Sequence, residues 1–167
     1  MKEKHLHINQ LLNRCKKGEN AAQMQIYKDY YNAMYNASFR ILKDEFEAED
    51  MMQEAFLTAF TKLNTFKGEV AFGAWLKRIV INKSLTQLKK NNRYKEVKLT
   101  VIKERPEETE EGMELTSLHA SKVLETLHSL KENYRIVLTL HLIEGYDYEE
   151  ISQILGYTNE NVRTTIS

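Results

Sequence analysis

A single cysteine and a single proline set the first limits on this sequence. With Cys15 alone, neither an intramolecular disulfide nor a cysteine-built zinc site can form, a usage that suits a reducing compartment. Its plainest role is as a small apolar residue on a helix face. The shortage of proline, with only six glycines in 167 residues, leaves little of the turn chemistry that hairpins and sheets need. Long apolar runs are also missing. Nothing approaches the roughly 18 residues of a membrane span, and Lys2, Glu3, Lys4, His5 and His7 precede Leu11 where a signal peptide would have its apolar core. A cytoplasmic protein without membrane insertion is expected.

What the chain does contain is rich in Leu, Lys, Glu, Gln and Ala, which favour helices. A hydrophobic content of 42 %, with six Phe, nine Tyr and one Trp, is enough to bury helical cores. The expected fold class is all-α, as two small helical domains joined by a flexible linker. Net charge is zero, from 24 basic and 24 acidic residues, but the charge is partitioned. Lys77, Arg78, Lys83, Lys89, Lys90, Arg93, Lys95 and Lys98 face a single nearby acid, Glu96, and form the kind of basic patch that phosphates attract. Asp44, Glu45, Glu47, Glu49, Asp50 and Glu54 form an acidic run upstream. Different surfaces are expected to meet different partners.

Apolar residues recur at three- and four-residue steps from Ile8 to Ala22, from Met24 to Leu42 and from Glu47 to Leu63. Residues 64–68 break the pattern, and another helix is expected from Ala71 to Lys90. From Asn91 to Ser117 periodicity is lost, Pro106 appears, and Glu104, Glu107, Glu108, Glu110, Glu111 and Glu114 accumulate, which reads as a flexible acidic linker. Two further helices run from Leu118 to Ile143 and close at Gly145. Asp147, with Glu150 three positions on, can cap a helix that ends at Gly156, and Thr158 can cap the last.

Three constellations carry candidate function. Asp147 to Ser167 has the form of a helix-turn-helix, whose second helix would offer Asn159, Glu160, Asn161, Arg163 and Thr164 to the major groove. A plain helical hairpin in a bundle shares that pattern. Glu49, Asp50, Gln53 and Glu54 lie on one helix face that could dock a basic helix or remain simply solvated. Phe66, Lys67, Trp75, Lys77, Arg78, Asn82 and Lys83 interleave aromatic and basic side chains as single-strand binders do, although Phe72 and its neighbours at helical spacing would also serve as core.

The string from Glu47 to Phe56 (EAEDMMQEAF), followed by Phe72 to Asn82 (FGAWLKRIVIN), resembles region 2 of extracytoplasmic-function sigma factors. Gly145 to Gly156 (GYDYEEISQILG), continued by Asn161-Val162-Arg163, resembles their region 4. The resemblance implies region 2 over residues 1–93, an acidic linker over 94–117 and a region 4 helix-turn-helix over 118–167. It implies core RNA polymerase as a partner, gripped at its β′ clamp helices by Glu49, Asp50, Gln53 and Glu54 and met also at the β flap. It implies promoter DNA as the other partner. The minus-ten element would meet Asn64, Phe66, Lys67, Trp75, Lys77, Arg78, Asn82 and Lys83, with a flipped base received by the loop 64–70; the minus-thirty-five element would meet Thr158, Asn159, Asn161, Arg163, Thr164 and Ser167. An anti-sigma factor is an implied regulator. No cofactor, metal or catalytic residue is expected.

Two positions depart from the family. Glu47 stands where an aspartate is common and Thr165 where a basic residue is common, and the sequence stops at Ser167, so its last helix is expected to be truncated relative to the family and to lack much of the usual phosphate-binding charge. Two other readings stay open at this level. One is a helix-turn-helix regulator acting without polymerase, which would need no acidic docking face. The other is a metal-dependent hydrolase on the 47–54 carboxylates, opposed by histidines placed far off at 5, 7, 119, 128 and 141.

Overall fold

The computed structural model describes residues 2–99 and 118–167, and the chain divides into two units, Met1–Thr100 and Val101–Ser167. Among the described residues every regular element is a helix, as the composition predicts. None of these helices is long and apolar enough to cross a membrane.

Unit 1 holds α1 (Lys2–Lys16), α2 (Asn20–Leu42), α3 (Glu45–Thr61) and α4 (Phe72–Leu99). Helices α2, α3 and α4 pack against one another, and α1 lies on α2. The core follows the apolar spacing: Ile26, Met34 and Ala37 from α2, Met52, Ala55, Phe56 and Ala59 from α3, and Phe72, Leu76 and Val80 from α4 are all buried. The alanines matter because side-chain size at the contact sets how closely two helices approach. At one such crossing of α2 and α4 the buried hydroxyls of Ser38 and Ser84 lie 2.7 Å apart, and Ser84 also donates to the Val80 carbonyl at 2.8 Å. Deeply buried hydroxyls are tolerated only with partners of this kind.

The sequence pattern reads as one helix from Ile8 to Ala22, but the chain breaks there. Helix α1 ends at Lys16, Gly18 takes φ of 83°, and α2 begins at Asn20, with Arg14 and Glu19 joined at 2.8 Å across the turn. A glycine reaches positive φ without a Cβ clash, so apolar periodicity can continue through a corner. The next corner is made without glycine. Lys43 sits at φ of 57° with its N–H on the Phe39 carbonyl, and the Asp44 side chain then caps α3 by accepting from the Glu47 N–H at 2.9 Å.

Helix α4 is also longer than its pattern, which fades at Lys90. It continues to Leu99. Asn91, a modest helix former, is held by donating to the Glu47 carboxylate at 2.8 Å while accepting from Gln87 at 3.0 Å, so a contact with α3 compensates for weak local propensity. The acidic linker expected over 94–117 begins inside this helix; from residue 100 onward, Pro106 and the six glutamates included, it lies outside the described residues.

Unit 2 holds α5 (Leu118–Ser129), α6 (Glu132–Leu138), α7 (Tyr148–Leu155) and α8 (Asn159–Ile166). Helix α6 runs on as a π turn over Thr139–Ile143, a widening that the apolar pattern did not signal. Leu127, Ile136, Val137, Leu140, Ile151 and Val162 form the buried set. Arg135 is buried among them, and burial lowers its pKa while Glu132 pulls it back up.

Candidate nucleic-acid interface

Helix α3 turns its buried side, Ala48, Met52, Ala55 and Phe56, into the bundle, so Glu49, Asp50, Gln53 and Glu54 are left exposed on the outside. The Gln53 amide reaches Glu49 at 3.4 Å. The four residues expected to act together therefore do share one solvent-facing surface.

After α3 the chain makes a single 3-10 turn over Leu63–Thr65, pinned by the buried Leu63, and enters a loop in which Gly68 takes φ of 74°. Asn64 and Lys67 are exposed on this loop, while Phe66 is half-buried. Its ring stands 5.1 Å from Trp75 and 5.7 Å from Phe72, which in turn meets Tyr30 at 5.4 Å. Phe72 is core, as its spacing suggests, and Phe66 and Trp75 are the half-open rim of the same cluster. Gly73 seals the base: a Cβ there would come within 3.0 Å of the Tyr30 ring. This packing fixes where the loop leaves the bundle.

Along α4, Trp75, Arg78 and Asn82 lie within about 60° of one another at roughly 100° per residue, Lys83 leaves about 100° to one side of Asn82, and Lys77 leaves about 140° to the other. Asn82 is exposed and Lys83 half-buried. These two residues and Glu54 line a common open groove of about 340 Å³ between α3 and α4, together with Met51, Thr86, Gln87 and Lys90. The acidic and basic runs, separate in sequence and expected to serve separate surfaces, thus meet along one groove. Thr86 and Gln87 are not among the residues the sequence points to, and Lys90 enters there only as part of the basic run, although Asn82, Thr86 and Lys90 at four-residue steps already form a polar row.

In unit 2 the turn chemistry is as the sequence predicts. Asp147 accepts from the Glu150 N–H at 2.8 Å and Glu150 accepts from the Asp147 N–H at 2.9 Å, completing a capping box. Gly156 takes φ of 70° at the end of α7, and the Thr158 hydroxyl accepts from the Asn161 N–H at 3.2 Å to start α8. Buried Ile151 and Val162 hold α7 and α8 in the unit. Asn159, Asn161, Arg163 and Thr164 are exposed on α8, as is Ser167 after it. The hydroxyl of Thr158 is occupied by its cap, and that of Thr164 is turned onto the carbonyls of Glu160 and Asn161 at 3.0 and 3.1 Å. Asn159, Asn161 and Arg163 keep the outward polar groups. Among the described residues no cluster of three His, Cys, Asp or Glu side chains is placed to hold a metal ion.

Comparison with known proteins agrees with both halves. The family model described as Sigma-70 region 2 matches residues 26–94, and that described as Sigma-70, region 4 matches residues 120–167. The RNA polymerase sigma-H factor of Pseudomonas aeruginosa is 30 % identical, with 94 % of this chain and 86 % of that protein covered. The ECF RNA polymerase sigma factor SigW of Bacillus subtilis is 29 % identical, with 95 % and 90 % covered. Among solved structures, the sigma factor RpoE in complex with the anti-sigma factor NepR from Bartonella quintana has a TM-score of 0.61 at 21 % identity, over 86 % of this chain and 88 % of that one, a likeness of fold. A helical bundle with this region 2 match, followed by a capped helix-turn-helix with this region 4 match, defines the class of bacterial transcription initiation factors. The chain belongs to the sigma-70 family, in its extracytoplasmic-function group.

Proposed function

We propose that this sigma factor, in directing RNA polymerase to promoters, docks on the core enzyme through Glu49, Asp50, Gln53 and Glu54, with the β′ clamp helices as their counterpart. The observation that carries the assignment is that all four are exposed together on the outward face of α3, inside the segment matched as region 2. An acidic face of this kind favours a basic partner and repels DNA phosphate, so the polymerase contact takes the outward side of α3 and the promoter contact takes α4, with Glu54 at the border between them. A DNA-binding regulator acting without polymerase has no use for it.

Promoter contact then falls to the rest of the molecule. Residues 1–93 act on the minus-ten element: the loop 64–70, with Asn64, Phe66 and Lys67, receives a flipped base beside Trp75, and Arg78, Asn82 and Lys83 follow the backbone, with Lys77 contributing from the other side of α4. Stacking on aromatic rims and pocket contacts offset the few kcal/mol of unstacking, so strand opening begins at one sequence. Residues 118–167, beyond the linker 94–117, place α8 against the minus-thirty-five element through Asn159, Asn161 and Arg163, with Thr158, Thr164 and Ser167 beside them, and meet the β flap. The protein binds and opens DNA without catalysing a reaction, works in the cytoplasm, and is held in check by an anti-sigma factor.

The test is co-elution of the chain with core RNA polymerase, beside a variant carrying Asp50→Ala, Gln53→Ala and Glu54→Ala. The intact chain is expected to co-elute and the variant to be lost from the complex. Co-elution of both to the same extent would remove the docking assignment.

A further inference from the structure

The two most exposed large apolar side chains among the described residues are Phe46, at 84 %, and Leu57, at 69 %, and both are on α3. Single exposed apolar residues are ordinary on protein surfaces. This pair is not scattered. Phe46, Asp50, Gln53 and Leu57 follow one another at steps of four, three and four residues, so they form one row along the outward face of the helix, about 16 Å from end to end. Glu49 and Glu54 flank that row. The remaining sides of α3 are committed elsewhere: Met52 and Phe56 to the core, Glu47 to Asn91, and Met51 to the groove with α4.

We propose that Phe46 and Leu57 are the two apolar ends of the polymerase-docking row, each seated against apolar surface on a basic helix of the core enzyme whose cations meet the carboxylates between them. The proposal rests on the docking reading above and adds the residues that set register and grip. Charge selects the occupant. A second copy docking through the same face would bring Asp50, Glu49 and Glu54 against themselves, and DNA or an anionic lipid surface would meet the same repulsion. A basic helix with an apolar residue beyond each end of its charged stretch satisfies the whole row at once. The carboxylates steer encounter and fix orientation; the two apolar ends slow release.

Salt separates the two contributions, because exposed charge pairs are screened while apolar contact is not. The full chain should be titrated onto core RNA polymerase at low and high salt as wild type, as Phe46→Ala with Leu57→Ala, and as Asp50→Asn with Glu54→Gln. The apolar double variant is expected to lose about tenfold in affinity with the salt dependence unchanged. The charge variant is expected to lose affinity mainly at low salt, flattening the dependence. Phe46→Leu with Leu57→Met should recover most of the loss, and Met24→Ala, at a comparably exposed apolar position on α2, should bind as wild type. Unchanged Trp75 emission and helical circular dichroism confirm that each variant is folded. An apolar double variant that binds as wild type, while the charge variant is weakened, overturns this proposal and leaves the docking face standing. So does an equal loss from Met24→Ala, which would signal general stickiness. If neither the apolar nor the charge variant changes affinity, the docking face itself is misplaced.

Discussion

The two units hold their helices in different ways. Unit 1 has long helices, 23 residues in α2 and 28 in α4, and a continuous core in which apolar side chains from all four helices interlock. In unit 2, α7 and α8 are eight residues each. That is well below the roughly 12 to 15 residues an isolated helix needs to be even marginal in water. Unit 2 compensates at the helix ends, with the Asp147–Glu150 box, Gly156 and Thr158, and with a small set of buried residues. Length and area stabilise the first unit, whereas local end chemistry stabilises the second.

That contrast can be broken most directly at Leu140, which is fully buried in the small core. Leu140→Ala is expected to cost about 3 kcal/mol, enough to unfold most of unit 2. Trp75 is the only tryptophan and lies in unit 1, so its emission should stay native while helicity falls. A shift in Trp75 emission would show that the units do not melt separately.

In unit 1 a single polar crossing gives the next effect. Ser84 donates to Val80, so the Ser38 hydroxyl is the donor between the two serines. Ser84→Ala leaves that buried donor without its acceptor and is expected to cost about 1–2 kcal/mol, against less for Ser38→Ala, with the double variant no worse than Ser84→Ala. Urea titration followed at Trp75 measures all three, and equal costs for the two single variants would refute the assigned direction.

Asp147→Ala removes one half of the capping box and should cost about 1 kcal/mol, seen as faster amide exchange in α7 with unit 1 unaffected. An α7 exchange rate unchanged from wild type would mean that packing, not the cap, holds this helix.

The smallest effect is in pH. Burial raises the pKa of Tyr30, with Asp29 adding to it, and burial raises that of Cys15 against a lowering by Arg14. Both groups are kept neutral by folding, so their contribution to unit 1 is complete below their ordinary values of 10.0 and 9.0 and is lost as pH rises through the raised ones. Arg135 in unit 2 is shifted the other way, so alkaline pH relieves rather than strains it. Thermal melts across that range should show unit 1 weakening first; parallel decline of both units would remove the distinction.

The sequence made the turn chemistry of unit 2 legible because caps are local: Asp147, Glu150, Gly156 and Thr158 each act within a few residues of themselves. It also made legible the outward acidic face of α3, since that face is simply the complement of the buried one. The corner at Gly18 was missed because the apolar steps run across it. The extension of α4 to Leu99 was missed because its support comes from Glu47, on another helix. The shared groove was missed for the same reason. Periodicity tells which side of a helix is wet, but not which neighbour borders it, and so Glu54 and Lys83 looked like members of separate surfaces.

The contact between Asn91 and Glu47 also bears on how this sequence can diverge. The two positions are 44 apart in the chain but 2.8 Å apart at the bond. An aspartate at position 47 would draw the acceptor back by one methylene, about 1.5 Å, and leave the amide unanswered. The two positions are therefore expected to be coupled, so that a change at either costs less once the other has been made.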